Sequence, residues 1–244
     1  MARGSKRQPW SHYRGLLSEE AIQYMGYVSS ASVVRIFQCL IVPGMLQTED
    51  YTRALMDGAF SKTDEQIEEF VTFRAEYRGL LTQPNPSRVF FILDEAVIRR
   101  VVGGNGVMRE QLNALARAAE LPNVSIRILT YAAGAHPGLR GSFTYLSFPD
   151  AEDADVVYME NPLGEAVFKD EGDLTARYLD FFYDVEQKAA PAEQLGDYLQ
   201  RALERLSDSD TDESGDSQAS SDQAGTVTAP PSRRESRAGK QNEG

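Results

Sequence analysis

Val42-Pro-Gly-Met-Leu-Gln-Thr-Glu-Asp-Tyr51, continued by Thr52-Arg-Ala-Leu55, is the stretch whose reading decides the fold. Pro43-Gly44 breaks an apolar run and forces a turn. Thr48 can cap a helix whose first turn carries Glu49 and Asp50, where negative charge meets the positive helix end. The stretch is therefore a strand-to-helix corner. Upstream of it, Val33-Val-Arg-Ile-Phe-Gln-Cys-Leu-Ile-Val42 is β-branched and bounded by the turn, which predicts a strand. Downstream, the helix ends near Gly58.

The rest of the chain extends this corner in both directions. Ser18 can cap a helix with Ala21, Ile22, Met25 and Val28 on one side. Thr63-x-x-Gln66 reads as a capping box, and Ile67, Phe70, Val71, Arg74, Tyr77 and Leu81 then share one helical stripe. Pro84-Asn-Pro86 closes that helix, and Arg88-Val-Phe-Phe-Ile-Leu93 is an expected buried strand. A short helix from Asp94 ends at Gly103-Gly104, and the next places Met108, Gln111, Leu112, Leu115 and Ala119 on one face. Strands are expected over Val124–Leu129, Ser142–Phe148 and Asp155–Glu160. Leu174, Tyr178, Phe181, Phe182 and Val185 form one final helical stripe, and Leu195 through Leu206 form another. The expected fold is α+β: a helical first half, a mainly antiparallel sheet in the second, and two C-terminal amphipathic helices. Residues 1–15 read as a basic flexible arm, 16–206 as one domain, and 207–244 as a disordered low-complexity tail.

Charge and composition narrow the function classes. The formal net charge is −12, while residues 1–15 hold Arg3, Lys6, Arg7 and Arg14 without an acid. The body is therefore acidic and repels a phosphate backbone, so no direct nucleic-acid binding by the folded part is expected. The basic arm is either a DNA contact or simply solvated. The lone Cys39 excludes an internal disulfide framework and fits a reducing cytoplasm. With two histidines and one cysteine, no metal is expected. No apolar run approaches a membrane span, and no signal-peptide segment is read at the N-terminus.

Several side chains have both a structural and a functional reading. Arg74, in an apolar stripe, needs either an acid from another element or an anionic ligand. His136 lies in a glycine- and proline-rich loop, as a surface histidine or a titrating functional group. Glu160 ends an apolar strand, as an edge solubiliser or a pocket acid. Asp94 reads as a helix cap, and Gly103-Gly104 is too short for a phosphate loop. Arg35, Ser142 and Glu160 occur in an order that superficially resembles the arginine, serine and glutamate of ADP-ribosyltransferases. In those enzymes the arginine and serine hold NAD and the carboxylate stabilises an oxocarbenium-like transition state.

Motifs in order along residues 18–206 resemble a known family. They are Pro43-Gly-Met-Leu-Gln-Thr48 with Tyr51 and Arg53-Ala54; Leu93-Asp-Glu95, Arg99-Arg100 and Gly103-Gly104; Met108-Arg-Glu-Gln-Leu112; Gly134-Ala-His136; Gly141-Ser-Phe143; and Tyr158-Met-Glu160. The family is the C-terminal domain of unknown biochemistry in actinobacterial regulators, where it follows an Xre-type helix-turn-helix. The resemblance implies an antitoxin-like regulator encoded beside a small partner protein, with this domain sensing a ligand or partner. Two departures stand out: only about fifteen residues precede the domain, too few for a DNA reader. The family's arginine-x-x-arginine-glutamine run is replaced by Arg74, Tyr77 and Arg78.

The expected function is a non-enzymatic sensor or interaction domain, without a cofactor, that takes a small molecule or a small partner protein. A homodimer is compatible with this reading. The expected ligand-binding residues are Arg35, Gln47, Tyr51, Arg74, Glu95, His136 and Glu160. The alternative is a small transferase using NAD or a related metabolite through Arg35, Ser142 and Glu160.

Overall fold

A computed structural model of the chain describes residues 10–161 and 166–219. The helices are α1 (Glu19–Ser30), α2 (Glu49–Phe60), α3 (Asp64–Gly79), α4 (Glu95–Arg99), α5 (Gly104–Ala119), α6 (Gly172–Lys188) and α7 (Leu195–Ala219). The strands are β1 (Val33–Gln38), β2 (Arg88–Asp94), β3 (Val124–Leu129), β4 (Phe143–Ser147), β5 (Val156–Glu160) and β6 (Ala166–Lys169). They form one sheet in the order β3-β2-β1-β4-β5-β6.

The fold is mixed in helix and strand content, as expected from the sequence, and the sheet has two characters. β1, β2 and β3 run parallel, because helical crossovers connect them. β4, β5 and β6 form an antiparallel meander against the other side of β1. The helix starts follow local chemistry. Ser18 and Thr48 accept the backbone N–H of Ala21 and Tyr51, Thr63 and Gln66 form a reciprocal capping box, and Asp94 accepts from Ala96.

Pleating assigns each strand residue to a face. One face presents Val34, Ile36, Phe91, Leu93, Ile126, Leu146 and Val156 to a large core shared with α1, α2, α3, α5 and α7. The opposite face presents Phe37, Ile92, Leu129, Phe143, Tyr145 and Val157 to α6, through Phe182 and Val185. The domain is therefore a three-layer arrangement with unequal helical layers.

The structure departs from the sequence reading at several points; the short helix expected to reach Gly103-Gly104, for example, ends at Arg99. The strand read over 33–42 stops at Gln38. Beyond it, side chains take over the backbone groups: Ser142 accepts from the Cys39 N–H, Tyr51 from the Val42 N–H, and Gln47 donates to the Val42 carbonyl. The basic arm does not extend to residue 15. Trp10 is buried, donates its indole N–H to Ser29, and packs edge-on against Phe73 and Tyr77. Strand β6 was not expected, since only Val167 and Phe168 mark it in the sequence. Helix α7 runs on to Ala219, past Leu206, where its apolar stripe ends. The tail expected to be disordered lies, from residue 220, outside the described residues, as do residues 1–9 of the arm.

Candidate functional site

The corner at residues 42–55 is held by an internal hydrogen-bond knot. Gln47 is 1% exposed; its amide nitrogen donates to the Val42 carbonyl and its amide oxygen accepts from Thr52. Gln111, fully buried on α5, donates to the Leu46 carbonyl at 2.7 Å and accepts from the Thr48 N–H at 2.8 Å. Arg78 donates to the Gln47 carbonyl at 3.1 Å. Gly103 has φ +75°, and an added Cβ there would lie 2.7 Å from the Ala54 Cβ. The sequence motifs are thus largely contacts with one another. The Met108–Leu112 motif grips the Pro43–Thr48 motif, and Gly103 makes room for Ala54.

This knot fixes Gly44 against α3, and a side chain at residue 44 would collide with the Arg74 guanidinium. Arg74 projects from α3 over a polar patch of the sheet. By register, Ile36, Thr144 and Tyr158 form one row on this face. Gln38, Ser142 and Glu160 continue the next row by strand alternation. Ser142 donates to the Gln38 side-chain oxygen, and its hydroxyl lies 3.3 Å from the Cys39 sulfur. Above the first row, Tyr24 of α1 stacks on Tyr158 with ring centroids 4.0 Å apart. The Tyr24 hydroxyl meets that of Tyr77 at 3.0 Å. The result is a tyrosine-walled polar cluster, the chamber, between α3 and the β1-β4-β5 part of the sheet, with Arg74 half-buried in it and Glu160 at its exposed rim.

The electrostatics of the chamber are unbalanced. Arg74 Nε is buried without a hydrogen-bond partner among the described residues. Its guanidinium stands 5.2 Å from the Phe73 ring and 5.9 Å from the Tyr77 ring and lies against Gly44, so its neighbours are π faces and backbone rather than a paired carboxylate. Burial lowers its pKa, while Tyr77, Tyr24, Glu160 and Tyr158 push it back up. The phenols of Tyr24, Tyr77 and Tyr158 are all held above the usual value of 10, chiefly by burial. Glu160 acts on Arg74 only through its field: no ion pair joins them among the described residues. Among the described residues, two other buried nitrogens lack partners, but neither is an isolated charge. Arg127 Nε lies 3.8 Å from Glu186, and burial lowers the His136 pKa, favouring the neutral ring.

Two open surface grooves flank α3 and bypass Arg74. One, about 830 Å³, lies between His12–Leu16 and the outer side of α3 at Glu65, Glu68 and Glu69. The other, about 620 Å³, lies between Met45-Leu46, Arg78 and Arg117. Glu68 already pairs with Arg53, Arg117 with Glu110, and Arg78 serves the Gln47 carbonyl. Unsatisfied charge, rather than surface concavity, singles out the chamber.

The expected site residues divide accordingly. Arg74 and Glu160 share the chamber, and Ser142 lies in its floor. Gln47 and Tyr51 belong to the knot inside the core, Tyr51 accepting from Val42 N–H. Glu95 is 9% exposed; it pairs with Arg99 and accepts from the Tyr131 N–H at 2.9 Å, tying down the loop after β3. His136 packs edge-on against Phe37, on the α6 face. Arg35 is on that face too, over Phe90, Tyr145 and Tyr183. Arg35 is thus separated by the sheet from Ser142 and Glu160, which leaves the NAD-transferase constellation without a shared surface. Tyr24, Thr144 and Gln38 were not singled out by sequence reasoning. They come from three elements, and only strand register and helix packing bring them together.

Among the described residues, no helix is long and apolar enough to cross a membrane. Comparison with curated proteins gives no match, and comparison with solved structures gives none either. Residues 22–201 match the family described as "Domain of unknown function (DUF5753)", a span that contains the corner, the knot and the chamber. The chain belongs to the DUF5753 family.

Proposed function

We propose that this chain is the sensor or interaction domain of an antitoxin-like transcriptional regulatory system of the actinobacterial, Xre helix-turn-helix-associated kind. It is occupied by a small molecule or a small partner protein, and its acidic body does not contact DNA directly. The observation that carries the reading is Arg74. It is a charged side chain placed inside a tyrosine-walled chamber, with a buried Nε that finds no partner among the described residues. A guanidinium whose buried Nε goes unbonded is costly to keep for stability alone, whereas an occupant that satisfies it recovers that cost on binding.

A thermal-shift screen of nucleotides, metabolites and the small partner protein tests this, because whatever prefers the native state raises its melting point. The reading expects an occupant that stabilises the wild-type chain and not the Arg74→Met variant. If occupants stabilise both proteins equally, the chamber is not the site.

A further inference from the structure

The sheet face opposite Arg74 is covered by one helix, and only in part. The helices that connect β1, β2 and β3 pack on the Arg74 side, which leaves α6 on the other. Through Phe182 and Val185, α6 seals the area around Phe37, Ile92 and Leu129. Towards the start of β2 the same face carries charge instead. Strand alternation puts Arg88 and Phe90 on this side, and the register sets Phe90 beside Arg35 of β1. The Arg35 and Arg88 guanidinia stand 5.6 and 5.3 Å from the centroid of the Phe90 ring, so they are at most about 11 Å apart. Tyr183 of α6, 42% exposed, borders the patch with its ring 5.8 Å from Arg35. Arg88 is exposed, and Arg35 and Phe90 are half-buried.

This positive patch is uncompensated. No ion pair joins Arg35 or Arg88 to a carboxylate among the described residues, and Arg35 reaches only the Tyr183 hydroxyl, at 3.5 Å. Two acids that reach this side are already engaged: Glu186 faces Arg127 at 3.8 Å, and Asp155 accepts from the Tyr145 hydroxyl. The chain carries a net charge of −12, so two arginines on one ring without an acid stand out as a site for an incoming negative group. Arginine beside an accessible aromatic ring is also the composition that carries most of the energy at protein interfaces. Each guanidinium fork matches a carboxylate in two parallel hydrogen bonds. In an extended segment, alternate side chains project to one side about 7 Å apart, so two of them reach guanidinia at this separation across the ring. A nucleic-acid strand suits the patch less well, because α6 exposes Asp180 and Asp184 next to Tyr183 and repels phosphates that run on past the pair.

We propose that the Arg35–Phe90–Arg88 patch is a docking surface for an extended acidic segment of a partner protein, with carboxylates at alternate positions, one on each arginine. The patch lies across the sheet from Arg74 and is independent of what occupies that side.

Fluorescence anisotropy with the full chain tests the proposal, using a fluorescein-labelled peptide of three Glu-Ala repeats, its Gln-Ala counterpart and a labelled hexathymidylate. The Glu-Ala peptide binds, and the other two probes bind at least about tenfold more weakly. Arg88→Gln, at an exposed position that does not threaten folding, weakens the Glu-Ala peptide at least about tenfold, and Arg35→Gln does the same. Arg117→Gln removes the same charge from α5 and leaves binding unchanged. Equal weakening in all three variants means that the peptide answers to net charge alone, and overturns the proposal. Hexathymidylate binding that matches the peptide's and is lost in Arg88→Gln overturns it in favour of a nucleic-acid surface. A wild-type chain that sediments as a dimer while Arg88→Gln sediments as a monomer overturns it in favour of a second copy. Failure of the Glu-Ala peptide to bind at about 1 mM overturns it outright. None of these outcomes bears on Arg74, which the thermal-shift screen reads separately.

Discussion

Gln111→Met isolates the knot that gives the corner its shape. Methionine nearly matches glutamine in volume and helix preference, so the change removes polar chemistry while opening little space. Gln111 is fully buried, and its amide serves two backbone groups in the corner, the Leu46 carbonyl at 2.7 Å and the Thr48 N–H at 2.8 Å. With the amide gone, both groups lose this partner. Each orphaned group costs about 1–3 kcal/mol, and the apolar methionine recovers part of that sum, giving a net loss of about 2–4 kcal/mol. Against the usual 5–15 kcal/mol of a folded domain this is severe, and the melting temperature falls by about 5–15 °C. Urea denaturation followed by fluorescence measures it, with the midpoint lowered and the slope unchanged. A loss below about 0.5 kcal/mol, the range of ordinary surface changes, refutes the claim that the two motifs hold each other through this side chain.

Three further outcomes follow from the same geometry. Gly103→Ala destabilises by about 2–4 kcal/mol, combining a left-handed backbone penalty with overpacking against Ala54, and thermal denaturation reads it out. Burial holds the phenols of Tyr24, Tyr51 and Tyr77 above 10, so the native state keeps protons that the unfolded chain releases there. Stability is therefore full below about pH 10 and declines as pH rises through the native values; melting temperatures at about pH 9 and about pH 11, beside tyrosinate absorbance, check the sign. A fragment from Trp10 to Leu206, which retains the core, gives no salt-dependent gel shift with duplex DNA; a shift that weakens steeply with salt contradicts the proposed lack of DNA contact.

Local chemistry made much of the fold legible. The caps at Ser18, Thr48, Thr63 and Asp94 depend on residues three or fewer positions away, so sequence order suffices to find them. Long-range pairing was not legible. Nothing near Gln111 in the chain reveals that its partners are Leu46 and Thr48. The split of Arg35 from Ser142 and Glu160 is a matter of strand parity, which one residue of register reverses and which only the pairing fixes. Arg74 was visible because a charge in an apolar helical stripe is anomalous in any fold. Its surroundings were not, since Tyr24, Tyr77 and Tyr158 each look like ordinary core aromatics until three elements converge. Cys39 through Val42 looked like strand because their composition is β-like. The competing influence was the side chains of Ser142, Tyr51 and Gln47, which claimed their backbone groups.

The account rests on Arg74 being held for an occupant rather than for the fold. Arg74→Met keeps an unbranched aliphatic stem and removes the partly unbonded guanidinium that lies against Gly44 and Tyr77. The lost ring contacts, about 0.5–1 kcal/mol each, are offset by about 1–3 kcal/mol from no longer burying an unpartnered donor. Chemical denaturation without any added ligand therefore gives a variant within about 1 kcal/mol of wild type, or more stable than it. A loss greater than about 2 kcal/mol makes Arg74 a structural residue and contradicts the central claim.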